Sequence, residues 1–290
     1  MKKPLFTGVC TALVTPFLDG NVNYPMFEQL LRRQMDAGIP AIVVCGTTGE
    51  APTLSDEEKL ELFRCAKEFT GNRMKVIAGT GSNNTEHTVE LSRMAEATGI
   101  DGLLVVSPYY NKATPHGLFA HYEAVAKAVH IPVIVYNVPG RTGVDIPVSV
   151  YKKLSRIANI AGVKEASADI TKITKTLSAC GPSLPVWTGN DELITPAMAL
   201  GASGVISVVS NVIPEETQAL AKSALAGEFD IASALQIEIQ PLLEALFSEV
   251  NPIPVKAAMK LLGFNCGSCR LPLTPISPEN LERLRHTLLR

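Results

Sequence analysis

The residue most suited to covalent chemistry is a lysine at the end of a buried apolar stretch. Lys164 follows Ile160–Val163, a short run typical of a strand buried on both faces. Burial disfavours the charged ammonium, and a neutral amine can attack a ketone to form an electron-withdrawing iminium. The same position also suits a strand-end lysine whose ammonium reaches solvent. The residue types at the ends of the neighbouring strands are therefore needed to choose between these two interpretations.

Four further side chains fit a site for a small keto acid. Tyr136 ends the preceding apolar stretch, and its hydroxyl can relay protons. Thr47 and Thr48 lie between two glycines, where a carboxylate can approach backbone amides closely. Arg141 follows a Pro-Gly pair and can grip a carboxylate with two hydrogen bonds. Each also has an ordinary structural interpretation, as a core tyrosine, a strand-to-helix turn or a surface arginine, but together they favour the site.

The elements that would position these residues repeat along the chain. Eight short apolar runs alternate with helical patterns, which predicts an α/β fold of the (β/α)8 TIM-barrel class. A doubly wound sheet is the competing fold, but no break in the repeat marks a switch in strand order. The active site of such a barrel lies at the C-terminal ends of its strands. The predicted strands are Gly8–Val14, Ala41–Cys45, Lys75–Ala78, Gly102–Val106, Pro132–Tyr136, Ile160–Lys164, Pro185–Thr188 and Gly204–Val208.

Several helix ends are marked by their residue types. Ser55 and Glu58 form a predicted capping box, and Gly71 is suited to end the same helix. Thr85 is predicted to cap a helix that runs to Gly99.

The pattern changes after about residue 225, where strand signals cease. We predict a barrel domain over residues 1–225 and a C-terminal three-helix region over residues 226–290 packed on it, without a flexible linker between them. The predicted helical stretches are Asp230–Glu249, Pro254–Gly263 and Pro278–Leu289.

Composition excludes several classes of protein. The 290 residues are 46% hydrophobic and carry a net charge of −2, which does not fit a nucleic-acid-binding protein. No apolar run approaches the length of a membrane span, and the N-terminus does not resemble a signal peptide. We therefore expect a cytoplasmic enzyme. The six cysteines are too sparse for a disulfide-stabilised secreted domain.

Motifs for metals and cofactors are weak. Residues 79–82 resemble part of a dinucleotide-binding loop but lack its third glycine, and we interpret them as a barrel loop. Cys266 and Cys269 form a single Cys-x-x-Cys motif, and the further ligands of a zinc site do not accompany it. The five histidines show no metal-binding spacing. We expect neither metal nor cofactor.

Four motifs, taken together and in order, resemble the dihydrodipicolinate synthase family of pyruvate-dependent class I aldolases, which is related to the N-acetylneuraminate lyases. They are Gly46–Glu50, Tyr109–Lys112, Tyr136–Thr142 and Gly162–Glu165, and the similarity extends to Asn251–Lys256 near the C-terminus. The resemblance implies a TIM barrel that condenses pyruvate with L-aspartate 4-semialdehyde. The product would enter lysine and diaminopimelate biosynthesis, and the family is usually a homotetramer built as a dimer of dimers.

The resemblance also implies catalytic roles. Lys164 would form the Schiff base with pyruvate. Tyr136, Thr47 and Tyr110 would form a proton relay, with Tyr110 reaching in from a neighbouring subunit.

Substrate-binding roles follow from the same resemblance. Thr48 would hold the pyruvate carboxylate, and Gly189 and Ile206 would line the same pocket through backbone groups. Arg141 would hold the carboxylate of the semialdehyde, and sialic acid lyases lack an arginine there.

One departure from the family concerns regulation. Lysine-inhibited members carry a histidine and an acidic residue at the site that binds lysine. That site is formed by the region after the threonine pair and by the helix that follows strand three. Here Asp56 and Lys59 lie in the first of these two parts, and His87 lies in the second. A cationic Lys59 would repel lysine, so we expect weak or absent feedback inhibition.

Two other functions remain open at this point. The chain can be a related aldolase, such as a 2-keto-3-deoxygluconate or N-acetylneuraminate lyase, although Arg141 argues against this. It can also be a non-catalytic barrel that senses a keto acid, since a barrel fold does not fix function. The joint presence of Lys164, Tyr136 and the threonine pair argues against a sensor.

Overall fold

A computed structural model describes residues 2–288 as a closed barrel of eight parallel strands surrounded by helices. This confirms the predicted (β/α)8 class, and every predicted strand is present with its ends shifted by at most two residues. A short antiparallel pair, Phe17–Leu18 (β2) and Asn21–Val22 (β3), follows the first strand. The barrel strands are Gly8–Ala12 (β1), Ala41–Val44 (β4), Lys75–Gly79 (β5), Gly102–Val106 (β6), Val133–Asn137 (β7), Ile160–Glu165 (β8), Val186–Thr188 (β9) and Gly204–Ser207 (β10).

The barrel closes where the first and last strands meet. β1 pairs with β10 on one side and with β4 on the other, and both pairings are parallel. Gly8 and Gly204 are register partners at the start of this seam. A Cβ atom on Gly204 would lie 1.9 Å from the carbonyl oxygen of Gly8, so only glycine allows the two strands this close.

Side chains of the strands alternate between the barrel interior and the helices outside. On β8, Val163 belongs to the outer core under the helices, whereas the next residue, Lys164, turns into the barrel. Phe6 and Trp187 stack with their ring centroids 4.8 Å apart and belong to the interior cluster. The interior is therefore a packed core, and free space remains at the C-terminal ends of the strands.

The helices follow the strands, as a repeated strand–helix unit requires. Those of the barrel are Tyr24–Asp36 (α1), Asp56–Thr70 (α2), Thr85–Glu96 (α3), Pro115–Ala128 (α4), Pro139–Thr142 (α5), Val148–Leu154 (α6), Ile170–Cys180 (α7), Ile194–Ala199 (α8) and Pro214–Leu225 (α9). None of the helices within residues 2–288 is long and apolar enough to cross a bilayer.

The residues predicted to begin and end helices are correct for α2, but the predicted N-cap of α3 is one residue too late. The capping box of Ser55 and Glu58 is present at α2, and Gly71 ends that helix. At α3 the prediction is wrong, because the cap is Asn84 and not Thr85. The Asn84 side chain accepts hydrogen bonds from the backbone N–H groups of Glu86 and His87. Asparagine is among the strongest N-cap residues and here takes the position one residue earlier.

Within residues 226–288 the structure has four helices, where the sequence predicts three helical stretches. They are Phe229–Glu238 (α10), Gln240–Leu246 (α11), Ile253–Leu261 (α12) and Pro278–Leu288 (α13). The stretch predicted as one helix, Asp230–Glu249, is divided because Pro241 has no N–H to continue the helical ladder and instead occupies the first turn of α11. The predicted end of the last helix at Leu289 lies outside the described residues. The division at residue 225 stays a prediction.

Candidate active site

Lys164 lies on the inner face of the barrel, near the C-terminal end of β8. The residue is 5% exposed. Tyr136 is its register partner on β7, so the two side chains emerge next to each other. The Lys164 Nζ lies 4.3 Å from the centroid of the Tyr136 ring. The two side chains thus meet at the mouth of the barrel.

Gly189, which follows β9, leaves the space that the Lys164 side chain occupies. A Cβ atom on Gly189 would lie 2.8 Å from Lys164 Cε and 2.5 Å from Ala166 Cβ. The Gly189 backbone N–H donates to the carbonyl oxygen of Glu165 at 2.7 Å. Gly189 lines the cavity as predicted, but this N–H already has a partner, so only its carbonyl is left for a ligand.

The strand end that carries Lys164 is fixed from the opposite side. The next residue, Glu165, turns toward the helices and is 1% exposed. Its carboxylate accepts hydrogen bonds from the Tyr151 hydroxyl and the Asn137 side-chain amide, each at 2.8 Å. Burial, followed by the nearby Glu165 charge, holds the pKa of Tyr151 well above its usual range, so the hydroxyl keeps the proton that it donates. A buried carboxylate requires such partners, and the network fixes the backbone beside Lys164.

The threonine pair occupies the loop after β4. Thr48 is 2% exposed, and its Oγ1 accepts a hydrogen bond from the Asn251 side-chain amide at 3.0 Å. Thr47 is half-buried and lines the cavity beside it. The loop ends at Glu50, a non-glycine residue with φ of 57°, whose buried carboxylate accepts a hydrogen bond from Lys256 Nζ at 2.8 Å. This ion pair secures a left-handed backbone that would otherwise be unfavourable.

Arg141 lies on α5, the single helical turn after β7, and is exposed at the rim of the cavity. Its Nη2 donates to the backbone carbonyl oxygen of Asn251 at 3.2 Å. The arginine is thus held beside the opening with further donors available for an anion.

The cavity wall just after β10 is held in place by a buried carboxyl group. Asp191 Oδ2 accepts hydrogen bonds from the backbone N–H groups of Val208 and Val209, at 2.9 and 3.2 Å. Burial raises the pKa of Asp191 above its usual value. Val208 lines the cavity, whereas Ile206, the residue predicted here, is fully buried in the interior cluster together with Tyr136.

The predicted residues fall into two groups. Lys164 shares one cavity of about 190 Å³ with five of them: Tyr136, Thr47, Thr48, Arg141 and Gly189. The other two, Ile206 and Tyr110, do not line this cavity in the single chain, and Tyr110 is 85% exposed, with φ of 74°. Its predicted role requires a second subunit.

Sequence reasoning missed the contribution of the C-terminal helices. Phe247 and Asn251 also line the cavity, although they lie more than 80 residues beyond Lys164 in the sequence. Asn251–Lys256 contributes to the family resemblance, but we predicted no role for any of its residues. The available signal was a polar and a charged residue, Asn251 and Lys256, in an otherwise apolar segment; both prove to be buried.

A larger cavity of about 530 Å³ adjoins the first and shares Thr47, Tyr136 and Arg141 with it. Its far wall carries Lys59 and His87.

These two residues are joined by Asp56, which accepts hydrogen bonds from Lys59 Nζ at 3.0 Å and from His87 Nε2 at 2.7 Å. Burial acts to raise the pKa of Asp56, but the hydrogen bonds from His87 and Lys59 outweigh it and leave that pKa below its usual value. Asp56 therefore stays ionised and is already occupied by its two partners.

The cysteine pair near the C-terminus has none of the surroundings of a metal site. Cys266 is fully buried and Cys269 is partly buried. Burial raises the pKa of each thiol to about 12, which disfavours the thiolate that binds metals. Across residues 2–288, no three His, Cys, Asp or Glu side chains are grouped as metal ligands would be.

Comparisons with known proteins find similarity along nearly the whole chain. The sequence profile of the dihydrodipicolinate synthetase family matches residues 5–290. The chain belongs to this family. Its members include the 4-hydroxy-tetrahydrodipicolinate synthase of Acetivibrio thermocellus, which is 46% identical over 288 residues, covering 99% of this chain and 98% of that protein.

Solved structures of the family share the fold. Dihydrodipicolinate synthase from Aquifex aeolicus superimposes with a TM-score of 0.96 at 46% identity, covering 98% of this chain and 97% of that one. The enzyme from Cyanidioschyzon merolae, solved with lysine bound, has a TM-score of 0.96 at 40% identity, covering 99% and 98% of the two chains.

Proposed function

We propose that this chain is a 4-hydroxy-tetrahydrodipicolinate synthase, which condenses pyruvate with L-aspartate 4-semialdehyde for lysine and diaminopimelate biosynthesis. Membership of the dihydrodipicolinate synthetase family and near-complete coverage of relatives with this name support the proposal. The observation that carries it is the buried Lys164 amine beside the Tyr136 ring in a cavity of about 190 Å³.

Lys164 is the nucleophile in the first step. Its neutral amine adds to C2 of pyruvate, and the resulting carbinolamine loses water to give an iminium. Lys164 is 5% exposed and lines the cavity, so its amine is within reach of a substrate carbonyl held there. The hydroxyl group of Thr48, in the same cavity, can donate a hydrogen bond to the pyruvate carboxylate.

The second step makes the carbon–carbon bond. Loss of a proton from the pyruvate methyl group gives an enamine, whose C3 attacks the aldehyde carbon while the aldehyde oxygen takes up a proton. The amino group of the semialdehyde then attacks the iminium carbon, which closes the ring and releases the Lys164 amine. Tyr136 and Thr47, which line the cavity together, carry these protons, with the partner subunit's Tyr110 completing the relay.

Arg141 selects the second substrate. The semialdehyde carries a carboxylate beyond its reacting carbon, and a guanidinium at the rim can hold it through two hydrogen bonds.

A substrate panel tests the proposed reaction. Pyruvate is supplied with L-aspartate 4-semialdehyde and, in separate reactions, with the aldehydes that 2-keto-3-deoxygluconate and N-acetylneuraminate lyases use. Among these aldehydes, we expect only the semialdehyde to be turned over efficiently with pyruvate. Preferred turnover of a sugar-derived aldehyde would assign the chain to a different aldolase.

We further propose that the chain acts in the cytoplasm as a homotetramer. The family resemblance gives Tyr110 a part in the proton relay, but its exposed side chain lies outside the cavity of its own chain, so that role requires a neighbouring subunit. Mixing Lys164→Ala chains with Tyr110→Phe chains tests this. In a hybrid dimer, one site combines Lys164 of one chain with Tyr110 of the other, so about a quarter of all sites should become fully competent. No gain over the unmixed variants would contradict action across an interface.

A further inference from the structure

Asn251 connects the C-terminal helices to both carboxylate-binding side chains of the site. It is 5% exposed, precedes α12 and lines the cavity that holds Lys164. Its side-chain Nδ2 donates to Thr48 Oγ1 at 3.0 Å, and its backbone carbonyl oxygen accepts from Arg141 Nη2 at 3.2 Å. One residue thus contacts Thr48 through its side chain and Arg141 through its main chain.

The contact with Thr48 determines what the hydroxyl can do. A threonine hydroxyl has one hydrogen to donate and two lone pairs to accept with. Because the Asn251 amide occupies a lone pair, the hydroxyl hydrogen is left for another acceptor. No other residue among 2–288 makes a hydrogen bond to Thr48 Oγ1. The hydrogen is therefore available to an acceptor in the cavity, such as a ligand carboxylate.

We infer that Asn251 is a positioning residue for pyruvate, which fixes the Thr48 hydroxyl as a donor toward the pyruvate carboxylate. The inference rests on the proposed role of Thr48. It gives the C-terminal region a part in catalysis, since that region supplies the group that orients a substrate-binding side chain.

The backbone of the threonine loop is anchored independently of Asn251. The buried Glu50 carboxylate accepts from Lys256 Nζ and from the backbone N–H of Arg270, both at 2.8 Å. Thr15 Oγ1 donates to the Gly49 carbonyl oxygen at 2.7 Å. Substituting the Asn251 side chain should therefore change the orientation of the Thr48 hydroxyl while the loop keeps its path.

Two substitutions of Asn251 separate orientation from packing. Asn251→Ala removes the donor, and the loss of about 1 kcal/mol per hydrogen bond predicts roughly a fivefold rise in the pyruvate concentration for half-maximal trapping on Lys164 by borohydride. Asn251→Asp keeps the shape but turns the donor into an acceptor. It should draw the Thr48 hydrogen away from pyruvate and repel the pyruvate carboxylate, so we expect a rise of at least about tenfold.

The KM for the semialdehyde is the internal control. Arg141 bonds to the backbone carbonyl of Asn251, which both variants keep. For Asn251→Ala, which adds no charge to the cavity, the KM for the semialdehyde and the thermal unfolding midpoint should therefore stay close to those of the parent protein. If Asn251→Ala raised the KM for the semialdehyde as much as the pyruvate concentration for half-maximal trapping, or lowered the unfolding midpoint in proportion to its effect on trapping, the role would be merely structural and the inference would be overturned.

Thr48→Val separates this inference from the proposed function. We expect it to weaken pyruvate trapping, and we expect Asn251→Ala to add nothing further in the Thr48→Val background. If Thr48→Val weakens trapping but neither Asn251 variant does, the inference fails and the proposed function stands. If Thr48→Val leaves trapping unchanged, the proposed role of Thr48 is wrong, and the inference fails with it.

Discussion

Tyr136 and Lys164 are register partners on neighbouring strands, and the Lys164 amine lies 4.3 Å from the centre of the Tyr136 ring. Parallel pairing of β7 with β8 is what brings them together, because paired residues point to the same face of a sheet. The same register places Asn137 opposite Glu165, and their side chains form a hydrogen bond on the outer face. The proposed catalytic pair and the pair that supports it thus occupy consecutive positions of one strand pairing.

Removing the Tyr136 hydroxyl should impair proton transfer more than pyruvate binding. Tyr136→Phe keeps the ring that packs beside Lys164, so we expect kcat to fall by about 10²- to 10³-fold while borohydride still traps pyruvate. Steady-state kinetics and intact-mass measurement on the same preparation check this. Tyr24→Phe, at the start of α1 and outside the cavity, is a matched control that should keep full activity. Full turnover by Tyr136→Phe would show that the relay assignment is wrong.

Removing the Arg141 guanidinium should affect the second substrate selectively. Loss of a charge-assisted contact predicts roughly a 10- to 100-fold fall in kcat/KM for L-aspartate 4-semialdehyde. Trapping of pyruvate on Lys164 should be unchanged. Arg141→Lys keeps the charge without the paired donors and should fall between Arg141→Ala and the parent protein. An equal loss for both substrates would contradict the assigned role.

Lysine should inhibit this protein weakly or not at all. The Asp56 carboxylate is already occupied by Lys59 and His87, and the Lys59 ammonium would repel a second cation in the adjoining cavity. Initial rates measured against rising L-lysine check this expectation. The double variant Lys59→Ala, His87→Glu removes the cation and supplies a carboxylate, so its sensitivity to lysine should increase. Strong inhibition of the parent protein at low lysine concentration would overturn the prediction.

Acid should destabilise the fold through a buried histidine on α4. His121 is 3% exposed, and burial lowers its pKa to about 4 from 6.5. Unfolding lets the ring take up a proton that the folded state excludes, so stability is full above about pH 6.5 and falls as the pH drops toward 4. The expected loss at pH 5 is about 2 kcal/mol.

Unfolding by urea at pH 7 and pH 5 measures this term. The variant His121→Gln should show a smaller difference between the two pH values than the parent protein. His116→Gln, which changes an exposed histidine of the same helix, should keep the full difference. Equal pH dependence in all three proteins would exclude His121 as the cause.

The barrel, and the two strand-end residues at the centre of the candidate site, could be identified from the sequence because the relevant signals are local. Strands buried on both faces are apolar and β-branched along their whole length, so their positions are visible in the sequence. Once eight strands are assigned, the rule that barrel sites lie at C-terminal strand ends selects Lys164 and Tyr136.

The contributions that could not be predicted depend on long-range packing. Asn251 meets Thr48 across 203 residues of sequence, and no local pattern records how α12 returns to the loop after β4. Local competition explains the other differences, since Asn84 replaces Thr85 as a cap and Pro241 divides a predicted helix.

The most direct test of the account is the intact mass of the protein after incubation with pyruvate and borohydride, followed by peptide mapping. We predict a mass increase of one pyruvate, less one water and plus two hydrogens, located on Lys164, and no such increase in the variant Lys164→Ala. Lys172→Ala, which changes a second buried lysine, should still form the adduct. An unmodified and correctly folded parent protein, or an adduct on another lysine, would contradict the central role given to Lys164.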